Sequence, residues 1–148
     1  MKYHNITKAD MLNGEGLRVV LWVSGCSHHC PACQNAFTWD ENDGVDFDDN
    51  AINEIYKELE NDWCDGITLS GGDPLFLKNR KTIRDLVLNI KTRYPSKTIW
   101  SYTGYTWEEL MDQMPNDENL RDILNNIDVL CEGRFVLSLA SIATHYVG

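Results

Sequence analysis

The sequence predicts an α/β protein built on a parallel β-sheet. Its 148 residues correspond to one domain at roughly 150 residues per domain. Continuous apolar runs alternate along the chain with segments whose apolar residues recur at helical spacing. We therefore expect strands joined by right-handed helical crossovers, with ligands bound by the loops that follow the carboxyl ends of the strands.

The predicted strands are unbroken apolar or β-branched runs, and they lie at 17–24, 67–70, 98–102 and 127–131. Runs of this kind, without the alternation of a half-exposed strand, are typical of strands covered on both faces. A closed eight-fold β/α barrel usually takes at least about 200 residues, so a barrel made by this chain has to stay open.

The predicted helices share an apolar stripe at the i, i+3, i+4 spacing, and they lie at 52–59, 83–90, 106–114 and around 120–124. The first follows a cap at Asp48 or Asp49. The third begins with a capping box formed by Thr106 and Glu109, and Pro115 ends it. Strand and helix therefore alternate from residue 17 to residue 131.

The charge balance and the absence of long apolar segments exclude several classes of function. Lys and Arg total 13 against 23 Asp and Glu, which gives a formal charge of −10. Such a chain repels phosphate backbones and anionic lipids, so neither nucleic acid nor a membrane is an expected partner. No segment approaches the roughly 18 to 20 apolar residues of a bilayer span, and no apolar signal region follows Met1. We therefore expect a cytoplasmic protein with reduced thiols.

Three of the five cysteines lie together in the loop after the first predicted strand. Cys26, Cys30 and Cys33 are separated by three and then two residues, so one loop can wrap one metal centre. Cys64 and Cys131 have no cysteine near them in sequence. We expect these two to be small buried apolar residues.

Three chemistries compete for the cysteine loop. A structural zinc needs a fourth ligand, which His28, His29 or His4 could supply, but zinc sites usually include a distant second ligand pair. Cys30 and Cys33 have the spacing of a redox dithiol, yet no helical pattern begins directly after the strand. An iron–sulfur cluster suits three thiolates, and three ligands to a four-iron cluster leave one iron open for a small molecule. We favour the cluster, with both loop histidines solvated.

Glycine-containing loops follow the other predicted strands. Residues 70–74 read Ser-Gly-Gly-Asp-Pro, where two glycines let backbone carbonyls approach an ammonium group beside the Asp73 carboxylate. Residues 101–105 read Ser-Tyr-Thr-Gly-Tyr, and 13–16 read Asn-Gly-Glu-Gly before the first predicted strand. Simple turns explain each of these loops equally well when it is considered alone.

Taken together, these segments resemble the radical S-adenosylmethionine superfamily. Within it, the sequence from Val23 to Asn35 with Thr38 and Trp39 resembles the activating enzymes of the anaerobic ribonucleoside-triphosphate reductase, and the similarity covers roughly residues 1–136. The resemblance implies a single-domain, open and incomplete β/α barrel of the radical S-adenosylmethionine type, with the chemistry at the carboxyl edge of its strands.

The resemblance also implies a ligand set. A four-iron four-sulfur (4Fe-4S) cluster is expected on Cys26, Cys30 and Cys33, with S-adenosylmethionine bound to the open iron through its amino and carboxylate groups. The expected cofactor-binding residues are Ala32, Cys33 and Gln34, which match the stretch lining the cofactor, and Gly72 at its methionine end with the adjacent Gly71 and Asp73. No catalytic side chain is expected beyond the residues that bind the cluster and the cofactor.

The activity that the resemblance implies is radical chemistry on a partner protein. One-electron reduction cleaves S-adenosylmethionine to methionine and a 5′-deoxyadenosyl radical, which takes hydrogen from a glycine of the large subunit of the anaerobic ribonucleotide reductase. The expected partners are that glycyl-radical protein and a small electron donor such as flavodoxin.

Alternative functions stay open at this point. The chain could activate another glycyl-radical enzyme, act on a small molecule, or be a non-enzymatic zinc-binding adaptor. It also departs from the family at two places: Ala32 stands where many superfamily members have an aromatic residue, and 136–148 is a divergent apolar C-terminal tail in place of a polar one. We expect 1–148 to be one domain ending in this tail.

Overall fold

Six strands form one mixed sheet in the computed structural model, which describes residues 1–139. The strands are β1 (Lys2–Asp10), β2 (Arg18–Val23), β3 (Val45–Asp46), β4 (Gly66–Gly71), β5 (Thr98–Tyr102) and β6 (Val129–Cys131). Their spatial order is β3-β1-β2-β4-β5-β6. Strands β2, β4, β5 and β6 pair in parallel, whereas β1 runs antiparallel to both β2 and β3.

The four predicted strands are confirmed, as β2, β4, β5 and β6, but the expectation of a purely parallel sheet is wrong. The two added strands lie at one edge, where β1 has a single buried residue, Ile6. Because the other eight residues of β1 are half-buried or exposed, the strand contains no apolar run, and the hydrophobic pattern gave no signal for it.

Four helices connect the parallel strands, at α1 (Asp49–Leu59), α2 (Arg80–Arg93), α3 (Trp107–Gln113) and α4 (Glu118–Asn126). Asp48 caps α1 through the Ala51 N–H. The predicted capping box of α3 is present, since Thr106 accepts from the Glu109 N–H while the Glu109 side chain accepts from the Thr106 N–H. A 3₁₀ turn that contains Pro115 separates α3 from α4, as the proline predicts.

All four helices pack on the same face of the sheet. The apolar core contains alternate residues of the central strands, such as Val19, Leu21 and Ile67, together with residues from every helix. Because successive side chains of a strand point to opposite faces, the intervening residues lie on the face without helices. That second face carries Trp22, and it continues into the site described below.

A buried arginine holds the loop that precedes β2. The Arg18 side chain is fully buried, and its guanidinium N–H groups donate to side-chain or carbonyl oxygens of Thr68, Thr98, Ile67 and Glu15. These bonds satisfy the whole guanidinium fork, which is what a buried cation requires. The glycine-containing 13–16 loop is thereby fixed against the sheet.

Within residues 1–139, none of the helices combines the length and the apolarity that a bilayer span needs. The described part of the predicted 136–148 tail contains a 3₁₀ turn at Leu137–Leu139. The rest of that tail, 140–148, lies outside the described residues.

Candidate metal and cofactor site

An open cavity of about 810 Å³ lies where the loops after the parallel strands meet. Its wall is formed by the loops that follow β2, β4, β5 and β6, and by Leu12 and Asn13 of the loop before β2. This is the edge at which the sequence predicts the chemistry. The volume lies in the range of roughly 300 to 1,000 Å³ that is typical of small-molecule sites.

The three clustered thiols share this cavity. Cys26, Cys30 and Cys33 are half-buried, and all three line its wall. The start of the loop is anchored, because the Cys26 N–H donates to the Trp39 carbonyl at 3.2 Å. Within the loop, the Cys33 N–H donates to the Cys30 carbonyl at 3.1 Å. His29 (φ 48°) and Ala32 (φ 59°) have left-handed backbone conformations. These two residues let the short segment from Cys26 to Cys33 fold back on itself.

Burial changes the acidity of the first of these thiols. It raises the pKa of Cys26 to about 11, and backbone N–H groups of His28 and His29 that point at the sulfur oppose the shift. Thiolate is the form that binds iron. The loop therefore already supplies donors for a charged sulfur, while the remaining stabilisation has to come from a bound cation.

The Gly71–Gly72 pair lets the loop after β4 pack against the loop after β2. Gly71 has a φ of +103°, and a Cβ added there would lie 2.5 Å from the Val23 nitrogen. A Cβ on Gly72 would lie 2.5 Å from the carbonyl oxygen of Gly25, in the cysteine loop itself. Both residues also line the cavity. Their close backbone approach, which the sequence predicts toward a ligand, is in this structure an approach to the end of β2, for Gly71, and to the loop after β2, for Gly72.

Asp73 pairs with a histidine of the cysteine loop. Its Oδ2 lies 2.7 Å from His28 Nε2, with the two side chains 1% and 4% exposed, and its Oδ1 accepts from the Leu75 N–H. The prediction that His28 is solvated is therefore wrong, because the sequence does not show that a buried carboxylate meets this ring. His29 is exposed as expected, and it stacks on the Trp39 ring.

The same geometry bears on the zinc alternative. Ligand atoms of Cys26, His28 and Asp73 all lie within 4.8 Å of one another. However, two ligands on one tetrahedral zinc stand about 3.3 Å apart when each lies at the usual metal distance. At 2.7 Å, His28 and Asp73 are bonded directly to each other. This distance does not favour zinc held jointly by the imidazole and the carboxylate.

The residues present fit an iron–sulfur cluster with a small ligand beside it. Three thiols line one open cavity, and a buried indole N–H in the same wall, that of Trp39, finds no acceptor within residues 1–139. A bound group with sulfur or oxygen acceptors would satisfy this donor. The redox-dithiol alternative is less well matched, because a 3₁₀ turn at Ala36–Thr38, and not an α-helix, follows the cysteines.

Comparison with known proteins agrees with this assignment. The family model described as a 4Fe-4S single cluster domain matches residues 12–148. The anaerobic ribonucleoside-triphosphate reductase-activating protein of Enterobacteria phage T4 is 38% identical over 139 residues, which are 94% of this chain and 84% of that protein. Proteins of the same name from Haemophilus influenzae and Escherichia coli K12 are 41% and 40% identical, covering 92% and 94% of this chain and 85% and 88% of their own length.

The chain belongs to the family of anaerobic ribonucleoside-triphosphate reductase-activating proteins. The iron–sulfur domain of this family explains why the structure gathers three cysteines at one sheet edge and leaves the other two elsewhere. Cys64 and Cys131 are buried as predicted, at 1% and 4% exposure, and neither lines the cavity. Burial raises the pKa of the Cys131 thiol, and a hydrogen bond with Tyr102 opposes the shift.

The cavity includes most of the predicted cofactor residues of this activating protein and several that the sequence did not indicate. Cys33, Gln34, Gly71, Gly72 and Asp73 line the wall, whereas Ala32 lies in an exposed turn and is not part of it. The wall residues that the sequence did not indicate include Leu12, Trp22, Glu132 and Arg134, and Tyr102 belongs to the 101–105 loop whose role the sequence left open. Trp22 and Tyr102 stand at strand ends, and this position was the one signal that could have indicated them.

Proposed function

We propose that this chain is the radical S-adenosylmethionine enzyme that activates an anaerobic ribonucleotide reductase by forming a glycyl radical on its large subunit. One observation carries the proposal: three thiols of a single loop share one open cavity with the Gly71–Asp73 turn. The name of the relatives supplies the target, since each is called a reductase-activating protein.

In this proposal the cysteine loop holds the metal centre. Cys26, Cys30 and Cys33 provide three thiolates to a four-iron four-sulfur cluster, which leaves one iron without a protein ligand. A cluster held there would supply the electron that cleaves S-adenosylmethionine to methionine and a 5′-deoxyadenosyl radical, and this radical would take a hydrogen atom from a glycine of the reductase. The Trp39 N–H, buried without an acceptor in the described chain, is available to a sulfide or to a ligand oxygen.

The remaining wall binds and orients S-adenosylmethionine. Gly71 and Gly72 line the part of the wall that would take the methionine end, and Cys33 and Gln34 line the part that would take the rest of the cofactor. Asp73 already accepts bonds within the protein on both of its oxygens, so it acts mainly by holding the wall in place. The helix-free face of the sheet, with Trp22 and Tyr102 in the cavity wall, lies beside this path.

The sheet suits the incomplete barrel that we propose for this enzyme. Four parallel strands are covered by helices on one face, and the opposite face leads into a cavity that is open to solvent. An open barrel can press its radical site against a larger protein substrate. We also propose that the enzyme works in the cytoplasm and takes its electron from a small carrier such as flavodoxin.

The test is anaerobic reconstitution with iron and sulfide, followed by electron paramagnetic resonance of the reduced protein with and without S-adenosylmethionine. We expect about four irons per chain and a spectrum that changes on addition of the cofactor, because one iron is open. With the reductase added, both 5′-deoxyadenosine and a glycyl radical should appear. Zinc in place of iron would contradict the proposal, and cofactor cleavage without a radical on the reductase would favour a different glycyl-radical protein or a small-molecule substrate.

A further inference from the structure

Asp73 joins the loops that follow three different strands. Besides His28, its Oδ2 accepts from the Thr103 hydroxyl at 3.0 Å and from the Gly104 N–H at 3.0 Å. The loops after β2, β4 and β5 therefore meet at one buried carboxylate. A carboxylate without water around it needs these donors, so none of the three loops can move away at this point without leaving a buried charge underbonded.

The loop after β5 is shaped around the His28 ring. A Cβ added to Gly104 would lie 2.4 Å from His28 Cδ2, so glycine is required for the imidazole to fit. Tyr105 packs edge-on against the same ring, with the centroids 4.5 Å apart and the planes at 83°. Arg80 in turn lies 5.4 Å from the Tyr105 ring centroid, and this contact continues the packing into α2. The Thr103-Gly104-Tyr105 segment thus forms a seat for His28.

We infer that His28 is a positioning residue that fixes the cysteine loop on the cofactor edge of the sheet. It lies two residues after Cys26 and two before Cys30, so its attachment to Asp73 sets the placement of both thiols. This inference rests on the proposed function, and it gives a role to the Thr103-Gly104-Tyr105 motif, which the proposed function leaves without one. His28 does not touch the substrate in this assignment; it acts through the loop that carries the cluster ligands.

The test compares His28→Asn with His29→Asn, the same substitution at the neighbouring histidine. Asparagine at 28 is too short to reach Asp73, whereas His29→Asn removes an exposed ring that stacks on Trp39. On reconstituted protein we expect iron loss to a chelator to be about 10- to 100-fold faster in His28→Asn, matching the loss of metal affinity that follows removal of outer-shell groups. His29→Asn should stay within about twofold of wild type, since it makes no contact with Asp73.

Two further variants separate positioning from general damage. His28→Gln places an amide N–H near the position of Nε2, so it should restore slow iron loss and the wild-type resonance spectrum of the reduced cluster. Gly104→Ala changes neither His28 nor Asp73 but displaces the ring from the carboxylate, so it should release iron faster while the circular dichroism spectrum stays native. Gly104→Ala decides the question alone if His28→Asn does not fold.

The inference is overturned if His28→Asn releases iron at the wild-type rate, or if His29→Asn releases it equally fast. It is also overturned if His28→Gln behaves as His28→Asn does. Failure of the proposed function would give a different result: the wild-type protein would hold its cluster, but its resonance spectrum would not respond to S-adenosylmethionine. The chelator comparison needs no cofactor, so the two failures are distinguishable.

Discussion

The sulfur atoms of Cys26, Cys30 and Cys33 differ from those of Cys64 and Cys131 in their position and not in their chemistry. The first three face one cavity, and the other two are buried away from it. Replacing any of the three by alanine should abolish cleavage of S-adenosylmethionine, because a four-iron cluster on two thiolates is poorly held. Cleavage is measured as 5′-deoxyadenosine released from reconstituted protein under reducing conditions.

Cys64→Ala is the matched control for these substitutions. Its side chain packs in the apolar core, so the change should lower the free energy of unfolding by about 1 to 3 kcal/mol and leave cofactor cleavage intact. If a Cys30→Ala protein kept cleaving the cofactor while Cys64→Ala stopped, the assignment of the cluster ligands would be wrong.

A single methyl group at Gly72 should disturb the cysteine loop. The new Cβ would lie 2.5 Å from the Gly25 carbonyl oxygen, which accepts the Asp73 N–H at 2.7 Å. We expect Gly72→Ala to lower the free energy of unfolding by about 1 to 3 kcal/mol and to reduce iron uptake on reconstitution, because backbone has to shift. Urea unfolding and iron analysis of the same preparation measure both effects.

Gly133→Ala is the control for Gly72→Ala. A Cβ on Gly133, which has a φ of +100°, meets nothing within 4 Å, so only the strain of about 1 to 2 kcal/mol from left-handed backbone is expected. Its iron content should equal that of wild type. Equal iron content in the two variants would mean that Gly72 is not packed against the cysteine loop.

At the scale of elements, one buried ion pair holds α2 against the start of α4. Arg80 in α2 is 2% exposed, and its Nη1 lies 2.7 Å from Oδ2 of Asp117, the N-cap of α4. Burial acts to raise the pKa of Asp117, but N–H donors of Leu120 and Asn119 together with Arg80 outweigh it and leave the pKa below its usual range. The folded protein therefore favours the ionised carboxylate.

Asp117→Asn should keep the helix cap and lose the charge that faces Arg80. The uncompensated guanidinium is expected to lower the free energy of unfolding by about 3 kcal/mol at pH 7, measured by urea denaturation. A lowered folded-state pKa contributes stability that is present above the unfolded value, about 3.9, and is lost as the pH falls through the folded value. The difference between variant and wild type should therefore shrink below about pH 4.

Asp85→Asn provides the comparison for Asp117→Asn. Asp85 lies on the surface of α2 and pairs with Lys81 at 3.1 Å, both side chains being about half exposed or more. A surface pair of this kind contributes at most about 1 kcal/mol, so the change in stability should be small at every pH. If Asp85→Asn lowered the free energy of unfolding as much as Asp117→Asn, burial of Arg80 would not be the reason that the Arg80–Asp117 pair stabilises the protein.

At the scale of the whole molecule, the apolar core and the cysteine loop are separate. The core cluster draws on the strands and on all four helices, and within the described chain it includes no residue from 24 to 46. Removing the cluster should therefore leave the sheet folded, unlike a small zinc domain that unfolds without its metal. Far-UV circular dichroism of the metal-free protein should match that of the reconstituted protein, with a single cooperative urea transition in both.

The cluster should still add stability by binding only the folded state. The expected difference is a higher urea midpoint in the reconstituted protein and faster hydrogen exchange of the 26–34 amides in the metal-free one. Metal-free protein with the circular dichroism of an unfolded chain would show that the cysteine loop carries the fold, and it would favour the adaptor alternative.

The elements whose burial leaves a periodic pattern could be predicted. β2, β4, β5 and β6, the four helices, the capping box at Thr106 and the proline break at Pro115 all follow from residues close in sequence. The β1 strand could not, because Ile6 is its one buried residue and its burial therefore leaves no periodic pattern in the sequence. The pairing of β1 is set by tertiary contacts.

By itself the sequence determined that Cys26, Cys30 and Cys33 lie in one loop at the carboxyl end of a buried strand, because spacing and periodicity are local properties. Only the tertiary structure decided what the neighbouring glycines and His28 do. Asp73 is 45 residues from His28, and the Thr103 and Gly104 donors are 30 and 31 residues beyond Asp73. Such contacts form because parallel strands bring their carboxyl ends to one edge of the sheet. They also require that edge to be buried, since a buried carboxylate has to be hydrogen-bonded by protein donors.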